Sequence, residues 1–500
     1  MLRIGLADAV TSVDPHFYNT TPNHNLAIHL FDRLVDRSPE ANPIPGLATG
    51  WMAVGEAAWD FILRAGVRWH DGADFTADDV AFTLERARNV PSSPGGFAPM
   101  LRAIGRVEIL SPLKLRLHTN GPAPTLPRDL ALVHIVSRHV GKDATTADYN
   151  SGRAAIGTGP YRMVRAVPGD RIELARNDDW WGARPDWASV VLRMLPNPSA
   201  RTAALLAGDV DVIDQPATAD LPRLRADAQT QVSSSPALRV IRVQPDFSHP
   251  TNPPFVTDSA GNRLARNRLN DLRLRQALTM AINRDARVDR VMQGTATATG
   301  QWMLPGMYSY APDVRPPTFD PDGARRLLAD AGYPDGFRLT LHGSNDRFPN
   351  DGATAQAVAQ MWTRVGVRTA VETMPFAAFA GRVAKQEFSM VLAGASMPTA
   401  EAGSLLATVL ATFDPARGLG ASNALRYSNP ALDTLIEQAA RTVDAPAREK
   451  LLIEAETMAL RDVAYMPLYN PTSFWVARAP YRYIARVDEL TLAMAVRRTA

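Results

Sequence analysis

The chain has 500 residues, of which 46% are hydrophobic and 21% charged, and its formal net charge at pH 7 is +3. These values are typical of a globular protein with two or more domains, because single cores stop growing beyond roughly 250–300 residues. The small net charge and the lack of basic blocks argue against a nucleic-acid-binding arm. The sequence has no cysteine, which excludes disulfides and thiolate chemistry, and it has no apolar run long enough to span a membrane.

In chain order, the hydrophobic pattern alternates between strands and helices. Strand-like patterns, with period-two alternation in the clearest cases, predict strands at residues 2–8, 59–63, 67–69, 114–120, 161–164, 171–177, 210–214 and 367–374. Helical spacing and end signals predict helices at residues 23–35, 76–87, 200–208, 321–332 and 354–366. This mixture indicates an α/β fold with mixed sheets.

The most patterned segment is WDFILRAGVRWHDGADFTADDVAFTLERA, residues 59–87, in which His70 stands beside Asp71. Such a pair is a candidate for acid–base chemistry, but it occupies a predicted turn and no third catalytic group is evident. We therefore interpret both side chains as partners of local backbone groups. Thr76 and Asp79 have the spacing of a capping box, with a shorter acid than usual, at the start of the predicted helix.

Motifs for catalysis and for metal or nucleotide binding are missing from the sequence. It contains no GxxxxGK[ST] loop, no HExxH, no G-x-S-x-G and no G-x-G-x-x-G that opens a helix. The nearest glycine-rich segment, GTGPYR at residues 157–162, is interpreted as a tight turn into a strand. His134 and His139 are five residues apart, but no third metal ligand is evident. We expect no catalytic residue, no bound metal and no cofactor.

Two proline-rich segments, residues 245–255 and 466–471, indicate where the chain passes between two lobes. If both segments join the same lobes, the chain leaves the first lobe near residue 247 and returns near residue 468. Two crossings side by side would form a hinge around a cleft, and such clefts are favoured ligand sites.

Several segments resemble, in order, the motifs of family 5 extracellular solute-binding proteins, the peptide, nickel and opine binders of ATP-binding-cassette (ABC) importers. Residues 59–87 are similar to the family pattern W-x-F-x-L-R-x-G-V-x-F-H-D-G-x-x-F-T-A-x-D-V. The other similar segments are SVDPHFYNTTPNHNLAIHLFDRLV, GTGPYRMVRAVPGDRIELARNDDWWG, LRLRQALTMAINRDARVDRVMQGTATA, FDPDGARRLLADAGYPDGF and YSNPALDTLIEQA. The resemblance runs from near residue 3 to near residue 495, with Asn283 where the family usually has aspartate.

The resemblance implies an α/β, two-lobe periplasmic-binding-protein clamshell (type II, cluster C) with mixed sheets and an extra subdomain inserted in lobe I. Lobe I would comprise residues 1–247 and 468–500, with the subdomain at about 38–156, and lobe II residues 248–467. We expect a periplasmic monomer whose signal peptide was removed and replaced by a start methionine. The implied partners are a small-molecule or peptide-like ligand and the permease subunits in the membrane, with no nucleic acid.

Positions beside the family motifs provide candidate ligand-binding residues. Arg347 stands where peptide-binding relatives place an arginine for the ligand carboxylate, and the alternative is a surface arginine paired with Asp346 or Asp351. Ala395 stands where the family's cleft loop has tryptophan, and Glu401, the one acid of that loop, is the candidate for a ligand amine. Weaker candidates are Tyr18, Asn19, Trp302, Asn423 and Tyr469.

We therefore expect the substrate-binding component of an importer, which captures a peptide-like or other small polar organic solute between two lobes and delivers it to a permease. The missing tryptophan and aspartate in the cleft loop argue against dipeptides and for a roomier pocket. An opine, a sugar, glutathione or a metal chelate is an alternative ligand. A hydrolase or amidase that uses His70 is the alternative from another class, which the missing catalytic motifs disfavour.

Overall fold

The computed structural model of the protein describes residues 1–499, apart from the side chains at positions 287, 289 and 290. The chain divides into two compact units: unit 1 contains Met1–Ser235 and Ser473–Ala500, and unit 2 contains Pro236–Thr472. The first boundary precedes the crossing predicted near residue 247, and the second follows the crossing predicted near residue 468. No helix within the described part of the chain is both long and apolar enough to cross a membrane.

The strands follow one another along both units. They are β1 (Leu2–Leu6), β2 (Val35–Arg37), β3 (Pro43–Pro45), β4 (Ala48–Ala53), β5 (Ala58–Leu63), β6 (Ile104–Ser111), β7 (Lys114–Thr119), β8 (Tyr161–Val167), β9 (Arg171–Arg176), β10 (Ser189–Met194), β11 (Val212–Asp214), β12 (Thr230–Pro236), β13 (Arg239–Pro245), β14 (Val256–Asp258), β15 (Ala296–Ala298), β16 (Phe337–Ser344), β17 (Val367–Met374), β18 (Met390–Ser396), β19 (Met466–Arg478), β20 (Tyr481–Tyr483) and β21 (Val496–Arg498). The two unit boundaries fall within β12 and β19.

The helices alternate with these strands. They are α1 (Thr21–Leu30), α2 (Ala77–Arg86), α3 (Ala98–Leu101), α4 (Leu126–Leu130), α5 (Arg138–Gly141), α6 (Thr146–Asn150), α7 (Pro198–Ala207), α8 (Leu221–Ala226), α9 (Leu272–Met280), α10 (Arg284–Val291), α11 (Pro321–Asp330), α12 (Asp351–Arg364), α13 (Phe376–Ala384), α14 (Gly403–Leu405), α15 (Pro430–Arg441) and α16 (Ala445–Arg461). Short turns of 3-10 helix lie at Thr218–Asp220, Arg268–Asn270 and Ala493–Ala495, and a π turn lies at Leu406–Leu410.

Unit 1 contains a mixed sheet in which β1 pairs in parallel with β10 and β11, while β9 and β8 continue it antiparallel. On the other side of β11, the end of β19 pairs antiparallel, with Val212 opposite Ala477. A separate antiparallel sheet has the order β4-β5-β7-β6. It contains the predicted strand at 59–63, where Phe61 and Leu63 are buried and Ile62 is exposed.

Unit 2 contains the second mixed sheet, in the order β14-β16-β18-β13-β19, with β17 beside β16. Strand β16 is parallel to both β17 and β18, whereas β13 is antiparallel to β18 and β19. Apolar side chains of α9, α11 and α12 form its core, among them the fully buried Trp362, whose indole N–H donates to the Leu278 carbonyl oxygen (2.8 Å). Burial of such side chains, at about 1.5–3 kcal/mol each, is the main stabilising contribution.

Two elements differ from the sequence prediction. The strand predicted at residues 67–69 is reduced to a single bridge between Arg68 and Asp74, because Trp69 N–H turns back to the Ala73 carbonyl oxygen (2.8 Å). The helix predicted over residues 23–35 ends at Leu30. By contrast, the predicted helix end at Gly208 is confirmed, since this residue has φ of 84°, a conformation that glycine adopts at least cost.

The GTGPYR turn explains why α1 ends early. The Leu30 carbonyl oxygen accepts a hydrogen bond from the Gly159 N–H (3.0 Å), and Phe31 has extended backbone angles. A β-carbon added at Gly157 would stand 1.7 Å from that oxygen. Only glycine therefore allows the turn to approach the end of the helix so closely.

We expect Gly157→Ala to lower the free energy of unfolding by about 1–3 kcal/mol, the usual cost of overpacking a buried site. Urea denaturation followed by tryptophan fluorescence would measure the change. Gly50→Ala is the matched control, because a β-carbon at Gly50 meets no atom within 4 Å. Equal denaturation midpoints for the two variants would contradict this account of the turn.

Candidate functional site

The carboxyl ends of the parallel strands β16, β17 and β18 meet at one edge of the unit 2 sheet. Loops at this edge are the usual ligand sites of open α/β sheets. Residues 345–350 follow β16, α13 begins at Phe376 after β17, and residues 397–402 follow β18. Because β13 runs antiparallel to β18, its first residue, Arg239, lies opposite Ser396 at the same edge.

Arg347 is exposed in the loop after β16. Its guanidinium carbon lies 5.0 Å from the ring centre of Phe376. The guanidinium group forms no ion pair with any residue that the structure describes. The alternative ion pair of Arg347 with Asp346 or Asp351 is not formed in the structure, where both carboxylates accept hydrogen bonds from backbone N–H groups. Asp346 accepts from Phe376 (2.7 Å), and Asp351 accepts from Arg347 (3.2 Å) and Phe348 (3.4 Å).

Two arginines and two phenylalanines, Arg239, Arg347, Phe348 and Phe376, form what we call the arginine–phenylalanine patch. Both guanidinium carbons lie 5.6 Å from the centre of the Phe348 ring, a distance typical of cation–π contacts. The Phe348 ring lies against Gly394, where an added β-carbon would stand 2.3 Å from it. The patch thus combines positive charge with apolar surface, which suits a ligand that carries a carboxylate beside an apolar group.

The structure brings Ala395 to the same edge and buries Tyr469 and Trp302. Ala395 lies opposite Val240 on β13. Tyr469 is on β19 with no exposed surface, and its hydroxyl lies 3.4 Å from the Thr354 hydroxyl. Trp302 is also fully buried and stacks on a tyrosine ring inside unit 2. Of these three predicted residues, Ala395 alone lies beside the patch.

Glu401 and Asn423 are engaged in the interior of unit 2. Glu401 has no exposed surface and forms an ion pair with Arg448, itself 4% exposed. The Asn423 amide donates to the carbonyl oxygens of Ala411 (2.9 Å) and Tyr427 (2.7 Å). A carboxylate held by a buried guanidinium is not free to receive a ligand amine unless that pair opens.

Tyr18 and Asn19 belong to unit 1, where both are half-buried. Tyr18 forms a bridge with Gly95, and the Asn19 N–H donates to the Gly95 carbonyl oxygen (2.9 Å). The Asn19 side-chain oxygen also lies 2.8 Å from the His24 ring. Their ligand contacts stay predictions.

His70 and Asp71 do not bond to each other. The His70 ring accepts from the Gly157 N–H (3.1 Å) and donates to the Gly159 carbonyl oxygen (3.0 Å), 87 and 89 residues away. The expectation of local partners was wrong for His70. It was correct for Asp71, which accepts from the Ala73 N–H (3.2 Å) and also pairs with a histidine ring at 2.7 Å. Burial lowers the pKa of His70 to about 4, so the ring is neutral at pH 7 and holds the turn in place.

His134 and His139 do not form the start of a metal site. His134 is buried, with one ring nitrogen 3.1 Å from the His24 ring and the other 3.2 Å from the Phe31 carbonyl oxygen. His139 contacts the Ser137 hydroxyl (2.6 Å) in addition to Asp71. Within the described part of the chain, no group of three or more histidine, aspartate or glutamate side chains is placed to hold a metal ion.

We expect His70→Gln to change how stability depends on pH, because glutamine can keep both hydrogen bonds but does not titrate. The unfolded state protonates histidine below about pH 6.5, whereas the folded state resists protonation down to about pH 4. The free energy of unfolding of the wild type is therefore highest above pH 6.5 and decreases as the pH falls from 6.5 towards 4. Relative to the variant, the wild type should lose about 2 kcal/mol between pH 7 and pH 5, measured by urea denaturation. A difference that is constant with pH would contradict the neutral, buried ring.

Comparison with known proteins shows which sequences and structures this chain resembles. A sequence model described as bacterial extracellular solute-binding proteins, family 5 Middle, matches residues 42–415. The chain is 26% identical over 461 residues to the dipeptide-binding protein of Escherichia coli, covering 86% of this chain and 82% of that protein. It is 25% identical over 474 residues to heme-binding protein A of Haemophilus influenzae, covering 89% and 82%. The structure of HbpA2 from Haemophilus parasuis matches with a TM-score of 0.87 at 21% identity, over 100% of both chains.

Because the family match covers most of its length, this chain belongs to the family 5 bacterial extracellular solute-binding proteins. It is a solute-binding protein of the kind that serves ABC importers, and it has the fold of the HbpA2 structure. The relatives named above are binding proteins. The family, fold class and solute-binding function predicted from the sequence are confirmed.

Three members of the arginine–phenylalanine patch, Arg239, Phe348 and Phe376, were missed by the sequence analysis. Phe348 follows Arg347 directly in the sequence, so its position beside a candidate ligand-binding residue could have identified it. Arg239 and Phe376 come from distant segments and meet Arg347 only through the pairing of β13, β16, β17 and β18. A correct strand order was needed to find them.

Proposed function

We propose that this protein captures a small solute that carries a carboxylate group, with a peptide-like ligand as the leading candidate. The observation that carries the proposal is the Arg347 guanidinium, which is exposed at the carboxyl edge of the unit 2 sheet without a carboxylate partner among the described residues. A guanidinium binds a carboxylate through two parallel N–H···O bonds, which fix orientation as well as charge.

The named relatives bind different ligands, and what these ligands share is a carboxylate group. A dipeptide ends in a carboxylate, and haem carries two propionate groups, so both named ligands offer the same group to an arginine. The rings of Phe348 and Phe376 supply apolar surface beside Arg347. Ala395, in place of the tryptophan that the family resemblance implies, removes a large side chain from this loop, which supports a ligand wider than a dipeptide.

The proposal assigns no partner for a ligand amine, because Glu401 is already paired with Arg448. We further propose that the protein works outside the cytoplasmic membrane as a monomer and performs no catalytic turnover. In that role it passes its solute to permease subunits. The neutral His70 ring, bonded to backbone groups on both sides, supports a structural role over a hydrolytic one.

A ligand panel tests the solute class. The panel contains di- and tripeptides, glutathione and haem, and each peptide is paired with its C-terminal amide. A ligand that binds only the folded state raises the melting temperature by mass action, so we expect at least one carboxylate-bearing compound to do so and its amide to do so less. No shift with any panel member would contradict the proposal.

For the best peptide of the panel, we expect Arg347→Ala to raise the dissociation constant about 10- to 100-fold, since hydrogen bonds to charged groups contribute about 1.5–3 kcal/mol. Isothermal titration calorimetry measures the change. Arg368→Ala is the matched control, because Arg368 is also exposed but lies at the amino end of β17.

Amidation of the same peptide makes this test specific. If Arg347 binds the carboxylate, removal of either partner weakens binding and removal of both weakens it little further. An unchanged dissociation constant for Arg347→Ala, or strictly additive losses, would exclude Arg347 from the site.

A further inference from the structure

Unit 1 contains a cavity of about 220 Å³ lined by four arginines. It lies beside the end of α1, strand β2 and the C-terminal segment 484–497. The arginines are Arg33, Arg37, Arg486 and Arg497. The first three are buried, with 4%, 7% and 8% of their surface exposed, whereas Arg497 is exposed to solvent.

Three of these arginines have partners of their own. Arg33 pairs with Asp36, and Arg486 pairs with Asp488 at 2.7 Å. Arg497 donates to the carbonyl oxygens of residues 494 (2.5 Å) and 496 (3.1 Å). Each of these guanidiniums is therefore held in position, and two of them are already neutralised in place.

Arg37 differs from the other three. Its guanidinium donates one hydrogen bond, a long one of 3.5 Å to the carbonyl oxygen of Arg128, and forms no ion pair with a described residue. Burial and the charge of Arg33 lower the pKa of Arg37 to about 10, so it remains cationic at neutral pH. The Asp488 carboxylate opposes this lowering from a distance, but a buried cation without a direct ion pair is still unfavourable.

The charge of the whole cavity is positive. Four guanidiniums stand against the carboxylates of Asp36 and Asp488, which leaves two positive charges in excess. Asp32 also lines the cavity, but burial raises its pKa to about 7, so it offsets at most one of them. The cavity therefore carries a net positive charge.

We propose that this cavity is a second binding site, which takes one small oxyanion of the phosphate or sulfate class with Arg37 as its principal ligand. The planar guanidinium matches such an oxyanion through paired N–H···O bonds. The volume of the cavity suits a single oxyanion with its water. The site lies wholly within unit 1 and does not depend on the ligand proposed for the arginine–phenylalanine patch.

The first test is thermal unfolding of the full chain in sodium phosphate or sodium sulfate, against sodium chloride at matched ionic strength. We expect phosphate and sulfate to raise the melting temperature by several degrees over chloride. We also expect Arg37→Gln to weaken phosphate binding at least about tenfold in calorimetry. Arg165→Gln, a change of an exposed arginine on β8 of the same unit, should leave it unchanged.

The apo protein supplies a second readout. Without phosphate, Arg37→Gln should unfold at the same temperature as the wild type or higher, because it removes an uncompensated buried charge. A lower melting temperature without phosphate, or the same phosphate affinity as the wild type, would show that Arg37 is structural and would overturn the proposal. Binding to phosphatidylglycerol vesicles without binding to free phosphate would overturn it as well.

A measurement of peptide binding tests whether the oxyanion site is independent of the proposed peptide site. The peptide dissociation constant should be the same in Arg37→Gln and in the wild type, since the two sites share no residue. A loss of peptide binding in Arg37→Gln would contradict two independent sites.

Discussion

The half-buried carboxylate of Asp32 is the hydrogen-bond acceptor on which this part of unit 1 depends. One of its oxygens accepts hydrogen bonds from the Thr158 hydroxyl (2.9 Å) and from the indole N–H groups of Trp181 (2.7 Å) and Trp180 (3.3 Å). Burial raises the pKa of Asp32 to about 7, and the three donors oppose that rise. A carboxylate that folding removes largely from water needs such donors, because an unsatisfied polar group costs its desolvation free energy. Segments distant in sequence are thus fixed to one point.

The motifs through which the chain resembles its family meet at that point. The WHDG segment contributes His70, the GTGPY turn contributes Gly157 and Gly159, and the NDDWWG segment contributes Trp181. The turn is bonded on one side by His70 and on the other by the end of α1. These motifs are therefore signatures of a scaffold. They identify the family without identifying its solute, and the ligand must be argued from the edge of the unit 2 sheet.

Charged residues show where reasoning from sequence alone stops. Arg347 and Arg37 are both arginines without a carboxylate partner among the described residues, yet the first is exposed on a loop and the second is buried in a cavity. Glu401 was a candidate for a ligand amine because of its place in a loop, but it is paired with Arg448. Nothing in the local sequence distinguishes these cases, since the partner of a charge is set by contacts far along the chain.

The sequence by itself determined the α/β class, most strands and helices, the glycine end of α7 and the family, because these follow from periodicity, turn chemistry and ordered motifs. Arg347 was also proposed as a ligand-binding residue from the sequence, and that role stays a prediction. The tertiary structure alone decided the early end of α1, the partners of His70, the joining of Arg239 and Phe376 to Arg347, and the arginine cavity. Each of these depends on which distant strands and turns come together, and strand order is a long-range property that local patterns do not encode.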